Sequence, residues 1–473
     1  MDRRGFLKAL GGGAVGWAAS GMLADGISSA YARPVPFVSS PAAAGLLGLV
    51  GELFTIDAAK TAAQQATTYP QSVAAGDPGP FGCVIWTRVN PAVIPSYEPI
   101  AAPIGWQIAT DAGFSNVVLE GASLVISQND HTIKLPVAHP ALKPYSIYFY
   151  RFIFSNVASR TGRFKTLPLP GVDMESMRIG YVVCQDYSNG YYTAYKLLAQ
   201  EEVDLVVHLG DYIYEYLNDG VGGPNNGPVR VVPPFPSGAQ YPQGLDDYRH
   251  LYQTYRADPD QQAMHERFAM IQLWDDHEFY NDCHQDYHED TNTPPLTATT
   301  PQPALRQMAN QAWTEYGLAD VIFNPFQPWD KSVKVYRNFQ FGNLIDLVVT
   351  DERLYRDGPP CGDIENQRYE TLGCSERTDP ARTMLGAAQK QWFLDTVTGS
   401  KATWKIWANE VMLCQYLLSS AAREFFDLDQ WDGYPAERAS ILGTIKQAGV
   451  DNFVVISGDA HLYLASYLKT NFD

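Results

Sequence analysis

Short apolar runs that stop abruptly at clusters of polar groups dominate the second half of the chain. Residues 178–183 lead to Cys184, Gln185 and Asp186, and 204–209 lead through Gly210 to Asp211 and Tyr214. The same grammar takes 270–274 to Asp275, Asp276, His277 and Glu278, and 452–457 to Gly458, Asp459 and His461. Runs this short, apolar throughout and bounded by Gly or Asp, predict strands buried on both faces. A helical pattern over 191–202 separates the first two, and that βαβ order predicts parallel pairing. If the four strands are neighbours in one sheet, Cys184, Asp211, Tyr214, Asp276, His277, Asp459 and His461 converge on its carboxyl edge, where α/β sheets hold their ligands.

Other stretches fill in an α/β pattern. Helices are predicted over 245–255, 261–268, 301–316 and 386–398, with a further strand over 404–411. Runs at 334–341 and 344–350 predict a hairpin turning at Gly342 and Asn343. Residues 217–247, rich in Gly, Pro and Asn, predict a long surface loop bordering the Asp211 motif. Earlier, from 71 to 167, short alternating runs such as 82–89, 104–110 and 147–154 predict a small N-terminal β-sandwich with no cluster of catalytic residue types. Pro168 and Pro170 mark its boundary with a catalytic domain at 177–473. Residues 33–70, rich in Ala, Pro and Gly, read as a leader with one short helix.

Composition narrows the function. A chain of 473 residues, 45% hydrophobic and 18% charged, suits two ordinary globular domains. The net charge of −18 argues against a nucleic-acid-binding surface or attraction to anionic membrane. An anionic substrate must then be drawn in locally, and bound cations are the simplest means. At the N-terminus, Arg3 and Arg4 open a twin-arginine pattern, followed by a weakly apolar stretch and the small-residue site Ala30-Tyr31-Ala32. Residues 1–32 therefore read as a signal peptide that engages the twin-arginine export machinery and leaves a periplasmic or secreted product. Gly11 to Gly13, Trp17 and Asp25 leave no ~20-residue apolar run, so no stable membrane anchor is expected after cleavage. Of six cysteines, Cys361 and Cys374 share one polar loop and could close a disulfide in an oxidising compartment, while Cys83 and Cys414 read as buried thiols.

A sulfur, a phenol, carboxylates and imidazoles at four strand ends make the ligand set of a two-metal centre. Each residue alone reads as a cap or turn residue; the repetition argues for a site. Thiolate and phenolate suit a trivalent or transition metal, carboxylates alone suit calcium, and the two oxygens of Asp211 can span a pair of cations.

These motifs, with Gln71 to Pro78, Trp86-Thr87-Arg88-Val89 and Trp431-Asp432-Gly433-Tyr434-Pro435, resemble the PhoD-type alkaline phosphatases. These are metallophosphoesterases and distant relatives of purple acid phosphatases. The resemblance covers most of the chain. It implies a four-layer αββα-type metallophosphoesterase domain preceded by the β-sandwich, and hydrolysis of phosphate monoesters and/or diesters by metal-activated hydroxide. It also implies an Fe(3+) site of Cys184, Asp211, Tyr214 and His461, and a Ca(2+) site of Asp276 and Asp459, with Asn409 a candidate oxygen ligand or phosphate contact. His277 falls where it can stabilise the phosphate or protonate the leaving-group oxygen. Arg353 or Arg356 can clamp phosphate oxygens, with pairing to a carboxylate as the alternative.

Two features depart from the family. The run 281–290 adds Cys283, His284, Asp286 and His288, which read as a solvated polar loop or a second metal site. Family members also generally continue past the last motif, so the chain looks truncated at its C-terminus. Two rival functions stay open: a phospholipase D-like phosphodiesterase, and a catalytically silent secreted binding protein that uses the β-sandwich.

Overall fold

The computed structural model describes residues 37–38, 52–96, 101–217, 227–287, 301–361, 369–371, 374–419 and 424–470. The signal-peptide reading of 1–32 lies outside the described residues.

Among the described residues before 166, nine strands form: β1 (Phe37–Val38), β2 (Val73–Gly79), β3 (Gly82–Arg88), β4 (Ala101–Ala109), β5 (Val117–Ile126), β6 (Thr132–Ala138), β7 (Ile147–Phe154), β8 (Val157–Ala158) and β9 (Gly162–Lys165). They are divided between two sheets. One joins β1, β5, β4, β7, β8 and β9; facing it, β2, β3 and β6 pair with one another. Inward side chains alternate along the strands, so Val73, Ala75 and Ile85 meet Trp106, Ile108, Tyr150 and Phe152 in the expected sandwich core. On the opposite face of β3, Trp86 enters a second core and donates from Nε1 to the Glu315 carbonyl at 2.9 Å.

The sheet does not end at the sandwich. The strands β10 (Ile179–Val182), β11 (Leu205–His208) and β12 (Ala269–Gln272) run parallel, and β2 pairs parallel with β12, giving the order β10-β11-β12-β2-β3-β6. One continuous sheet thus crosses the segment 168–176. The helix predicted between β10 and β11 is short, Thr193–Leu198, because Gln200 and Glu201 tighten into bonds to the carbonyls three residues back.

The later strands are β13 (Arg337–Phe341), β14 (Ile345–Val349), β15 (Tyr369–Thr371), β16 (Trp404–Ala408), β17 (Leu417–Ser419), β18 (Glu424–Asp427) and β19 (Phe453–Ile456). The predicted hairpin β13-β14 starts a sheet of order β13-β14-β16-β19, while β15, β18 and β17 form a small sheet of their own. The four motif-bearing strands therefore do not share one sheet, as the two central layers of the expected αββα arrangement allow. The outer edge of β12 is taken by β2, so the fourth motif-bearing strand, β19, lies in the facing sheet, beside β16. Leu205, Val207 and Ile271 of one sheet pack on Leu347, Val349 and Ala408 of the other. Each outer face is covered by helices, among them Leu245–Tyr255 and Pro303–Tyr316 on one side and Ala387–Gly399 and Pro435–Gln447 on the other. The result is the αββα arrangement, with both sets of parallel-strand carboxyl ends on one side.

Cys361 and Cys374 form a disulfide with Cα atoms 6.1 Å apart, and Cys83 and Cys414 are buried free thiols.

Candidate metal centre

Each motif turns sharply as its strand ends. Cys184 (φ 53°), Asp211 (55°), Asp459 (64°) and His461 (52°) all occupy the left-handed region, which costs a non-glycine residue on the order of 1 kcal/mol or more. Four such residues in one place mark a site held under strain. Gly210 (φ 111°) permits a close approach: a Cβ there would lie 2.4 Å from the Asp275 Cβ and 2.7 Å from its backbone N.

Glu278 ties two motifs together. Its buried carboxylate accepts from the backbone N–H of Asp211 (3.0 Å), Tyr212 (2.8 Å) and Asp275 (2.7 Å). Burial pushes its pKa up to about 7 against the pull of those three donors. Cys184 N donates to the Gly210 carbonyl at 3.3 Å, and Gly458 N to the Glu410 carbonyl at 2.8 Å, fixing the loops of the two sheets.

The side chains so placed fall into three overlapping groups, each with its donor atoms within 4.8 Å of one another: Cys184, Asp211 and His461; Asp211, Asp276 and His277; and Asp275, Asp276 and Asp459. Asp211 and Asp276 are each shared by two groups. Tyr214 joins the first, its hydroxyl donating to Asp211 Oδ2 at 3.2 Å and lying 3.2 Å from His461 Nε2. All six predicted metal residues are therefore brought together, with Asp275 beside them.

The electrostatics favour cations in their midst. Among the described residues, Asp211 Oδ1 and Asp275 Oδ2 are buried without a hydrogen-bond partner. Burial, with repulsion from neighbouring carboxylates, pushes Asp211 and Asp275 well above the usual carboxylate range, although His277 and Arg353 respectively oppose the shift. Burial, Asp211 and Asp459 also raise the Cys184 thiol. For Asp276, burial acts upward, but Arg353 and His277 prevail and hold it at about 2. A polarisable sulfur and phenol on one side and oxygens alone on the other match two cations of different hardness. An open groove of about 1360 Å³ reaches Cys184, Asp459 and the exposed His461.

His277 is buried in a socket. Its Nδ1 lies 2.6 Å from Glu215 Oε2, and its ring packs on Tyr214 with centroids 4.0 Å apart. Burial disfavours the imidazolium, yet Glu215, Asp276 and Asp211 hold its pKa well above the ordinary value.

Arg353 takes the carboxylate-paired form. Fully buried, it donates from Nε to Asp275 at 2.5 Å, from Nη1 to Asp429 at 2.8 Å and from Nη2 to Asp459 at 3.0 Å. Arg356 likewise bonds Asp429 and the Asp282 carbonyl. Asn409 sits behind the cluster, its Oδ1 accepting from Trp431 Nε1 at 2.9 Å and its Nδ2 donating to Val411 O and Ser457 Oγ. In the 431–435 loop, Asp432 pairs with Arg438 and Tyr434 bonds the Asp357 carbonyl, so both brace the loop. The two residues just before it reach inward: Asp429 holds both arginines, and Gln430 donates to Asp459 Oδ2.

The reading of 281–290 as a metal site gains no support among the described residues, 281–287. No metal-type grouping there includes Cys283, His284 or Asp286. Cys283 Sγ instead contacts the Asp276 carbonyl at 3.6 Å and Arg306 at 3.5 Å, and His284 stacks on Tyr287.

Sequence reasoning passed over Asp275, Glu278, Glu215, Asp429 and Gln430. The first two stand in the same polar cluster as Asp276 and Glu215 follows Tyr214 directly, so position alone could have flagged them. Asp429 and Gln430 carry no local signal.

Comparison with known proteins agrees with this geometry. Residues 179–473 match the family model described as PhoD-like phosphatase, and 56–168 match that described as PhoD-like phosphatase, N-terminal domain. Alkaline phosphatase D of Bacillus subtilis (strain 168) is 33% identical over 418 residues, which span 87% of this chain and 68% of that protein. A solved structure of PhoD superposes with a TM-score of 0.73 at 32% identity, covering 83% of this chain and 72% of the other.

Proposed function

Because the chain belongs to the PhoD-like phosphatase family, we propose that it is an exported phosphoric ester hydrolase acting on phosphate monoesters and/or diesters at a centre of iron(III) and calcium. The observation that carries this reading is the sharing of Asp211 and Asp276 among three adjoining ligand groups. Cys184, Asp211, Tyr214 and His461 would hold the iron, and Asp276 and Asp459 the calcium, with Asp275 as a further oxygen donor. Bound there, the cations would supply a strong nucleophile at neutral pH and counter-charge for the phosphoryl oxygens.

The chain's own groups supply the rest. His277, with Nδ1 engaged by Glu215, offers Nε2 to protonate the leaving-group oxygen. Arg353 keeps Asp275 and Asp459 in place and lowers the repulsion between them, a role that replaces direct grip on the substrate. Asn409 orders the loop after β16 through Trp431.

Elemental analysis, visible absorption and three substrates test the reading. Iron and calcium should both be found, and ferric iron held by sulfur and phenolate should colour the protein. A chromogenic monoester and its bis-ester should be hydrolysed faster than phosphatidylcholine. Colourless, iron-free protein with no esterase activity would overturn the proposal, and predominant choline release would turn it toward a phospholipase. His277→Ala should keep both metals and lose ~10²–10⁴-fold in kcat; near-normal turnover would make His277 a bystander.

Export is part of the same proposal. The twin-arginine pattern supports it, the Cys361–Cys374 disulfide suits an oxidising compartment, and no helix among the described residues is long and apolar enough to cross a membrane.

A further inference from the structure

Glu215 belongs to none of the ligand groups, yet it is 1% exposed and has no arginine or lysine partner among the described ion pairs. A buried carboxylate so placed needs another reason to be there. Its two oxygens are both used. Oε2 lies 2.6 Å from His277 Nδ1, and Oε1 accepts the backbone N–H of Asn281 at 2.9 Å. The residues on either side of it complete the enclosure: the Tyr214 ring lies against the imidazole face at 4.0 Å, and the Tyr216 ring meets it edge-on at 5.8 Å and 88°. Three consecutive residues, 214–216, thus grip one ring contributed by another strand end.

We infer that Glu215 is the positioning residue that locks His277 with its Nδ1 proton turned away from the metal groups and its Nε2 turned toward them. A carboxylate accepts and does not donate, so the 2.6 Å contact requires the proton on Nδ1. It also bars the ring flip that would exchange the two nitrogens. Since Tyr214 and Glu215 share one segment, the distance between the candidate iron ligand and the imidazole is set within a single turn of chain. A rotating imidazole would present Nε2 for only part of the time, and catalysis by positioned groups loses steeply with such misplacement.

The inference rests on the proposed hydrolase only for its effect on turnover; the orientation of the ring can be measured apart from it. Glu215→Gln keeps the shape of the side chain and removes the charge. In proton NMR of protein in which diamagnetic gallium(III) replaces any bound iron, an imidazole N–H held by a carboxylate should appear far downfield. That resonance should be present in the wild type and lost in both Glu215→Gln and His277→Ala. In turnover, Glu215→Gln should lower kcat by ~10–100-fold with KM and metal content unchanged, and the loss should be larger for an ester with a poor leaving group. In the His277→Ala background the same change should cost less than about twofold, because two residues acting as one unit are not additive.

A downfield resonance that survives Glu215→Gln would overturn the inference, as would a loss of equal size in both backgrounds. If the resonance behaves as stated while the wild type hydrolyses no phosphate ester, the positioning role stands and the proposed function falls.

Discussion

Asp211→Asn should abolish esterase activity and metal occupancy together, with kcat/KM falling by more than ~100-fold, beyond the loss expected for an outer partner of a ligand. Asp211 is the carboxylate common to the Cys184–His461 group and the Asp276–His277 group, and its Oδ1 has no hydrogen-bond partner among the described residues. Asparagine keeps the shape and one carbonyl oxygen but removes the charge that two cations would share. The metal-free protein should not suffer, because burial and neighbouring carboxylates already disfavour the Asp211 anion. The variant should therefore unfold at a midpoint equal to or above that of metal-free wild type, and should no longer gain stability when iron and calcium are added. Saturation at a hundred times Kd is worth about 2.7 kcal/mol, so the missing gain is readily seen in thermal denaturation. Retention of both metals and of turnover would remove Asp211 from the centre.

Arg353→Met should destabilise the metal-free protein by about 3–5 kcal/mol, the usual consequence of leaving buried charge without its partner. The guanidinium bonds Asp275, Asp429 and Asp459 at once with no exposure to solvent, so its removal leaves three carboxylates facing one another. Arg353→Lys, which keeps the charge but cannot reach three acceptors in one plane, should fall between the two. Added calcium should recover more stability in Arg353→Met than in the wild type, since the cation then meets a deficit the arginine would have covered. Urea denaturation with and without calcium measures this. A metal-free variant within 1 kcal/mol of wild type would show that Arg353 is no counter-charge.

How far these residues were legible in the sequence depends on the range over which each is fixed. Cys184, Asp211, Asp276 and Asp459 follow strands that announce themselves by continuous apolar runs, and local pattern found them. The pairing of those strands was not local. β19 resembles β10, β11 and β12 in composition, and only the capture of the β12 edge by β2 decides that it belongs to the facing sheet. Arg353 shows the same limit. Its motif was found, but whether it meets substrate or carboxylates depended on Asp429, 76 positions away and without a pattern of its own. Glu278 and Glu215 lay within the motifs and were passed over because neither would touch a cation; they serve by holding others.

The pairing of Gly76 with Met270 also bears on how the chain is made. A ribosome adding ~5–20 residues per second reaches the partner on the order of ten to forty seconds after Gly76 has been synthesised. Through that interval the sandwich strands carry an unsatisfied row of N–H and C=O groups, a template for wrong partners. Holding chaperones should bind the nascent chain then. Shortened versions that start after the sandwich would carry the same defect permanently, on β12, and should collect as aggregates however intact their catalytic half.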